Sequence, residues 1–378
     1  MLTRIWLTFK QHRFETISIT VVCVGLTAAA LIEAFRLNSL NVPLSCLQSY
    51  QGGYPDPSQG PISAAQAHCN ELAKSFSDMK GSLDMNLVQL LLLLVPLLAG
   101  IVVGAPLVAR EIEQGTAQLS WALSGSRRRW LLGKVLAGVL LLASLMLAVG
   151  LAANVLEGAL NPGLNPYNSF SNYLSRGVPD VFWALAAFAG TFALGTILGR
   201  TMPAVVLALV VCFFARATWD AGMTHFVLRP FAVEQDQDQQ QQPGYVVYGP
   251  GGGSADMNVY YKSFIDGKEV TDAQVNAWYN QNMVCTPIPT PTPNPSTSPA
   301  DSNSPGASAT PDNSKMGDSG IACQGPNIDP SHMPQQIPYV IPGQWYWQTV
   351  ALESGLLLLG SLFCGAIAFV WVDRRRPY

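Results

Sequence analysis

Six runs of apolar residues dominate this chain, and each is about long enough to cross a hydrocarbon layer of roughly 30 Å as a helix rising about 1.5 Å per residue. They cover residues 16–35, 85–109, 130–156, 180–199, 202–219 and 349–372. Backbone in such a layer must satisfy its own N–H and C=O groups, so runs of this kind fold as helices. Only 12% of the 378 residues are charged, against roughly 25% in soluble domains. The expected fold class is therefore an all-α polytopic membrane protein with six transmembrane helices. The first run is too long for the apolar core of a signal peptide and lacks a short basic leader, so it is expected to stay in the mature chain. Before it, residues 1–14 place Leu2, Ile5, Trp6 and Phe9 at i, i+3, i+4 and i+7, with Arg4, Lys10 and Arg13 off that stripe. That pattern predicts an amphipathic helix lying in the interface.

Lys and Arg placement orients the spans. One alternating set of segments holds Arg4, Lys10, Arg13, Arg110, Arg127, Arg128, Arg129, Lys134, Arg200, Arg374, Arg375 and Arg376, which is 12 of the 21 basic residues, beside only four acids. The other set holds nine basic residues and twenty acids, so a net charge of −3 hides +8 on one side and −11 on the other. The positive-inside rule then predicts a multi-pass protein of the cell (plasma) membrane with both termini, including the tail at 373–378, in the cytoplasm.

Cysteine usage gives a separate indication. Cys23, Cys212 and Cys364 fall in spans, whereas Cys46, Cys69, Cys285 and Cys323 all fall in predicted outer segments, an even set that suits an oxidising compartment. Of the three pairings that four cysteines allow, the local ones, Cys46 with Cys69 and Cys285 with Cys323, each staple one loop. The second would close a Pro/Ser/Thr-rich loop worth about 4 kcal/mol on chain-entropy grounds.

The outer segments differ in character. Residues 36–84 form a loop with a helix-like portion at 64–76. Residues 220–348 are long enough for a small extracytoplasmic domain between spans five and six. It has strand-like runs at 245–248 and 259–264, a turn at Asp266-Gly267 and a helix start at Thr271, with Gln274 completing a capping box. Residues 235–242 and 286–315 are too polar and Pro-rich to offset ordering entropy and are expected to be disordered. Spans one to five, with their loops, make up residues 16–219.

Catalysis finds little support. The nearest approach to a phosphate-binding loop ends at Gly133-Lys134, but Val135 replaces the required hydroxyl residue and Arg128 stands at the first glycine position. His12, His68, His225 and His332 are scattered without metal-ligand spacing, so no metal site is expected. The chain is not expected to be an enzyme, to carry a cofactor or to bind nucleic acid.

The most informative polar stretch lies between spans two and three. It runs Arg110-Glu111-Ile112-Glu113-Gln114-Gly115-Thr116, then Leu119, Leu123, Ser126-Arg127-Arg128-Arg129, and closes on Gly133-Lys134. With the six-span layout and the amphipathic N-terminal helix, this order resembles the permease subunit of ABC-2 type transporters. In that family a helix leaves the second span with Arg-Glu-x-Glu-x-Gly-Thr, passes leucines to a Pro-x-Ser-Arg-like turn and re-enters at Gly-Lys. Here Ser124 stands where the family has proline. Residues 339–355 also resemble the approach to the last span in actinobacterial members.

The resemblance implies that residues 110–129 are a coupling segment seated on a separate ATP-binding subunit, with Arg110, Glu111, Glu113, Gly115 and Thr116 as the coupling residues. Charges there would form rim ion pairs that fix register more than they add affinity. It also implies two copies of that subunit, which would bind ATP and Mg, together with a second permease copy or paralogue, and export of an unknown substrate. Arg127, Arg128 and Arg129 are expected to anchor topology and lipid headgroups. Glu33, Arg36, Asp84, Glu157, Arg216, Asp220 and Glu353, near the outer span ends, are candidates for an outer gate or interspan network. The alternative is a non-transporting membrane receptor or scaffold that binds its ligand through residues 220–348.

Overall fold

The computed structural model describes residues 13–49, 63–116, 127–234, 256–282, 284–287, 321–324 and 333–374. The amphipathic segment 1–12, the polar runs at 235–242 and 288–315 and the strand-like run 245–248 lie outside these residues, as do Leu119, Leu123, Ser124 and Ser126. The chain divides into two compact units, Met1–Val259 with Val340–Tyr378, and Tyr260–Tyr339.

The first unit is helical. Its elements are α1 (Arg13–Ser39), α2 (Leu44–Ser49), α3 (Ala64–Lys80), α4 (Leu83–Gly104), α5 (Pro106–Glu113), α6 (Arg127–Leu160), α7 (Val178–Leu198) and α8 (Thr201–Gly222), with a long helix, Tyr346–Arg374, at its C-terminal end. Six candidate spans result: Phe14–Ser39, Leu83–Glu113, Arg128–Leu160, Val178–Leu198, Thr201–Phe231 and Gly343–Arg374. Each contains or overlaps one of the six apolar runs of the sequence.

The second unit is mixed. Strand β2 (Met257–Ile265) enters it from the first unit, past the two-residue strand β1 (Val233–Glu234). β3 (Lys268–Val270), α9 (Asp272–Asn282), β4 (Val284–Pro287), β5 (Ile321–Gln324) and β6 (Gln335–Ile341) follow, and the Tyr346–Arg374 helix is α10. β2 pairs antiparallel with β3, Ser263 opposite Val270 and Ile265 opposite Lys268. The turn between them sets Asp266 at φ 52° and Gly267 at φ 72°, the left-handed pair a tight hairpin requires. Thr271 starts α9 as the capping box predicts, its N–H donating to Gln274 Oε1 at 2.8 Å. β4 and β5 pair with Cys285 opposite Cys323 in backbone register, although the side chains of those two residues lie outside what is described.

Hydrogen bonds within the first unit establish the order of the spans without reference to a membrane. At one end, α5 holds the start of α1 through Arg110 and Glu15, the start of α6 through Glu111 and Lys134 and the start of α8 through Glu113 and Thr201. Arg128, at the start of α6, meets Asp373, at the end of α10, at 2.7 Å. At the other end, the start of α10 reaches the start of α7 and the last turn of α8, through Glu353 with Trp183 and Trp219. The six spans therefore alternate in direction, with Arg13 and Arg374 at the same end as α5. That end, which carries α5, is the connector end, and the opposite one is the far end.

α4 and α7 form the centre of the bundle, and more than half of each is buried. Their backbones approach because Gly100 and Gly104, four apart on α4, carry no side chain. A methyl group at Gly100 would overlap the Ala184 carbonyl, and one at Gly104 would lie 2.6 Å from Phe188 O. This is the small-xxx-small packing of membrane helices. Gly199, by contrast, ends α7 in the left-handed conformation, φ 65°. α8 and α10 are mostly exposed, with Met202, Val206, Phe213 and Phe214 of α8 and Leu359, Leu362 and Phe363 of α10 facing outward. Such faces suit lipid or another apolar helix.

Two boundaries differ from the sequence-based expectation. The second apolar run was expected to continue unbroken to residue 109, but α4 stops at Gly104 and α5 restarts with Pro106 at its first position. Proline has no N–H for the helical ladder, and its ring disfavours a continuous helix. The outer domain expected at 220–348 shrinks to Tyr260–Tyr339. A π-helical turn, Met223–Leu228, extends α8, and Met223, Leu228 and Ile341 pack against Phe170, Tyr173 and Tyr346. Burying these apolar side chains draws both flanks of the expected domain into the first unit.

Candidate functional site: the connector and the polar far end

α5 is eight residues long and carries one apolar face, with Leu107, Val108 and Ala109 buried. It lies against α7 because Gly195 leaves room. A methyl group there would sit 3.1 Å from Ala105 O and 3.3 Å from Ala109 Cβ. Its three charged residues then point three ways. Arg110, half exposed, donates to Glu15 at 2.9 Å. Glu113, exposed, accepts from the N–H and hydroxyl of Thr201 at 3.1 and 3.0 Å. A carboxylate placed there satisfies free donors and favours the positive end of the α8 dipole.

Glu111 differs from its expected role. It was expected to form a rim ion pair with a partner, but it is turned inward and paired with Lys134, which is only 4% exposed. Lys134 also donates to Leu107 O at 3.3 Å and lies 4.8 Å from the Trp130 ring. A buried carboxylate is stable only when paired and hydrogen-bonded, and the lysine of the re-entry Gly-Lys supplies that pairing. The solvent-facing residues at the end of α5 and in the turn after it are Arg110, Glu113, Gln114, Gly115 and Thr116. Gly115 adopts φ 71° and ends the helix. The backbone of Arg127 starts α6, but its side chain lies outside what is described. Arg128 and Arg129 are exposed there, and Arg128 ties to Asp373.

At the far end a second set of polar groups is built around Glu353, which is 3% exposed. Its carboxylate accepts from Tyr173 OH at 2.5 Å and from Trp183 Nε1 and Trp219 Nε1 at 3.1 Å each. The two indoles meet edge to face at 5.4 Å, and the Arg216 guanidinium lies 4.7 Å from the Trp183 ring. Burial and the neighbouring Glu353 charge hold the Tyr173 phenol well above its usual range, so it stays a donor. Nearby, Arg176 is fully buried. It donates to Pro166 O at 2.6 Å, to Ser169 O and to Asn154 Oδ1 at 3.4 Å, and it faces the Tyr346 ring. Asp180 is 2% exposed, and its Oδ2 has no hydrogen-bond partner among the described residues.

Glu157 belongs to a neighbouring network, accepting from Asn161 at 2.5 Å and Asn172 at 2.8 Å. Lys80 joins it by donating to Leu160 O and Asn161 Oδ1, both at 3.0 Å. Burial pushes its amine below the ordinary lysine range, opposed by the charge of Glu157. Glu33 and Arg36 pair with each other on α1 at 2.8 Å. Asp84 is exposed in the first turn of α4, and the Asp220 side chain lies outside what is described. Of the suggested gate residues, the structure thus brings Glu353 and Arg216 together through Trp183. Cys46 and Cys69 are disulfide-bonded, joining α2 to α3 on the far side of α1.

Sequence reading missed Tyr173, Arg176, Asp180, Trp183 and Trp219. The signal was present as Arg, Asp, Trp and Tyr crowded at the far ends of apolar runs. Only the fold shows that they share partners.

A cavity of about 630 Å³ opens beside Glu353 between α4, α8 and α10, and Gln89, Tyr173, Trp219 and Leu228 are among its lining. Residues 47–223 match the family model described as ABC-2 membrane transporter related. No curated protein and no solved structure matches the chain. That match spans the connector and runs from α2 to the end of α8, so residues 47–223 of this six-span helical protein are similar to the ABC-2 membrane transporter related domain and support an ABC-2 permease-like protein.

Proposed function

We propose that this chain is the membrane-spanning subunit of an ATP-driven exporter, taking its energy from two copies of a separate ATP-binding subunit and working with a second permease copy or paralogue. The observation that carries this reading is the way Arg110, Glu111 and Glu113 fasten one short helix to the starts of α1, α6 and α8. A displacement of α5 acts on three spans at once. α5 also packs on α7, and through Arg128 and Asp373 the same end reaches α10. The exposed Glu113–Thr116 turn is the surface offered to the partner, and ATP and Mg are bound by the partner and not by this chain. Lys and Arg placement supports a cytoplasmic connector. The Cys46–Cys69 disulfide at the opposite end supports an oxidising far side. The outward apolar faces of α8 and α10 support the second membrane copy. On the same ground we assign a second far-side disulfide to Cys285 and Cys323, which face each other in register.

The test is co-expression with the ATP-binding subunit. Gln114→Arg with Thr116→Arg is expected to abolish co-purification, whereas Glu113→Ala is expected to retain it and lower stimulation of the partner's ATPase by several-fold. Unchanged co-purification and unchanged stimulation in both variants contradict the assignment.

A further inference from the structure

The far-end cavity has the volume of a site for a drug-sized molecule. Its wall is mostly apolar, with Leu90, Leu93 and Leu228 on one part and the rings of Phe170, Tyr173 and Trp219 on another. The ionisable carboxylate in that wall is Glu353, which is 3% exposed and held by three neutral donors. Among the described residues no Lys or Arg forms an ion pair with it. The other charged groups nearby do not line the cavity. Arg216 lies over the Trp183 ring, Arg176 is held by carbonyls and the Tyr346 ring, and Asp180 is buried within reach of the Arg216 charge.

A buried carboxylate solvated by neutral donors still favours a counter-charge, and an aromatic face attracts a cation through its quadrupole. We propose that this cavity binds an organic cation, with its ammonium or phosphonium centre against Glu353 and the Tyr173 and Trp219 rings and its apolar body against the leucines. The inference deepens the transporter reading by naming the class of its cargo, and rests on that reading for the step of export. Binding itself requires only this chain.

The test uses the purified full chain in detergent and two probes of one shape and opposite charge, tetraphenylphosphonium and tetraphenylborate, measured by equilibrium dialysis. The expected result is one saturable phosphonium site per chain, at least about tenfold tighter than the borate. Glu353→Gln lowers phosphonium affinity at least about tenfold and leaves the borate unchanged. Met223→Trp, which fills the cavity and leaves Glu353 in place, removes phosphonium binding; it decides the matter if Glu353→Gln does not fold. Equal affinity for the two ions, tighter borate binding, or phosphonium binding unaltered by Met223→Trp overturns the inference. Failed phosphonium binding in a chain that still co-purifies with the ATP-binding subunit sinks the cargo assignment alone. Intact phosphonium binding with no such association sinks the transporter reading alone.

Discussion

Removing one partner of the Glu111–Lys134 pair leaves the other as an uncompensated charge inside the bundle, at a cost of about 3–5 kcal/mol. Lys134→Met is therefore expected to lower the apparent unfolding midpoint in detergent sharply, while Glu111→Gln combined with Lys134→Met recovers much of the loss. A double variant no more stable than either single one contradicts a pair that acts as a unit. At the far end, Tyr173→Phe removes a charge-assisted hydrogen bond to Glu353 and is expected to cost about 1.5–3 kcal/mol by the same measurement. The residue order Arg-Glu-x-Glu and the closing Gly-Lys are visible in the sequence. That Glu111 and Lys134 are each other's partner is not, because residues 23 apart in sequence come into contact only when α5 folds back on α6. The same holds for Tyr173, Trp183 and Glu353, which come from three elements up to 180 residues apart.

Helices were legible wherever hydrophobicity alone decides. All six spans follow from length and composition, since the bilayer leaves a backbone no other way to satisfy itself. Less legible was what helices do to one another. Gly195 and Gly199, with small-xxx-small spacing, separate in role: Gly195 seats α5 against α7, and Gly199 is a left-handed helix end. The tightest crossing instead uses Gly100 and Gly104. Gly104→Leu is expected to force α4 away from α7 and abolish a monodisperse protein in size-exclusion chromatography. Gly133→Ala, where an added methyl meets nothing within 4 Å among the described residues, leaves the profile unchanged. The break between α4 and α5 was also there to be read in Pro106, but an apolar run conceals it because hydropathy does not register a missing N–H.

Across the whole chain, charge and hydrogen bonding give a consistent layout. The connector end gathers the basic residues at 110 and 127–129 together with the two ends of the span region, and the far end carries a disulfide, a polar network and the cavity. Topology can be checked directly: a membrane-impermeant maleimide is expected to label a cysteine placed at Gln114 only after the membrane is opened. Labelling of intact cells there would reverse the orientation. The central claim is that motion imposed on α5 reaches the far end. Its most direct measurement is the distance between spin labels on α4 and α10 at Asn86→Cys and Thr349→Cys. The complex would include the ATP-binding subunit, and Cys23, Cys212 and Cys364 would be replaced. The account predicts that ATP shifts this distance distribution when Glu111 and Lys134 are intact and leaves it fixed in the Glu111→Gln/Lys134→Met variant, although the partner still hydrolyses ATP. An identical ATP-driven shift in both proteins contradicts it.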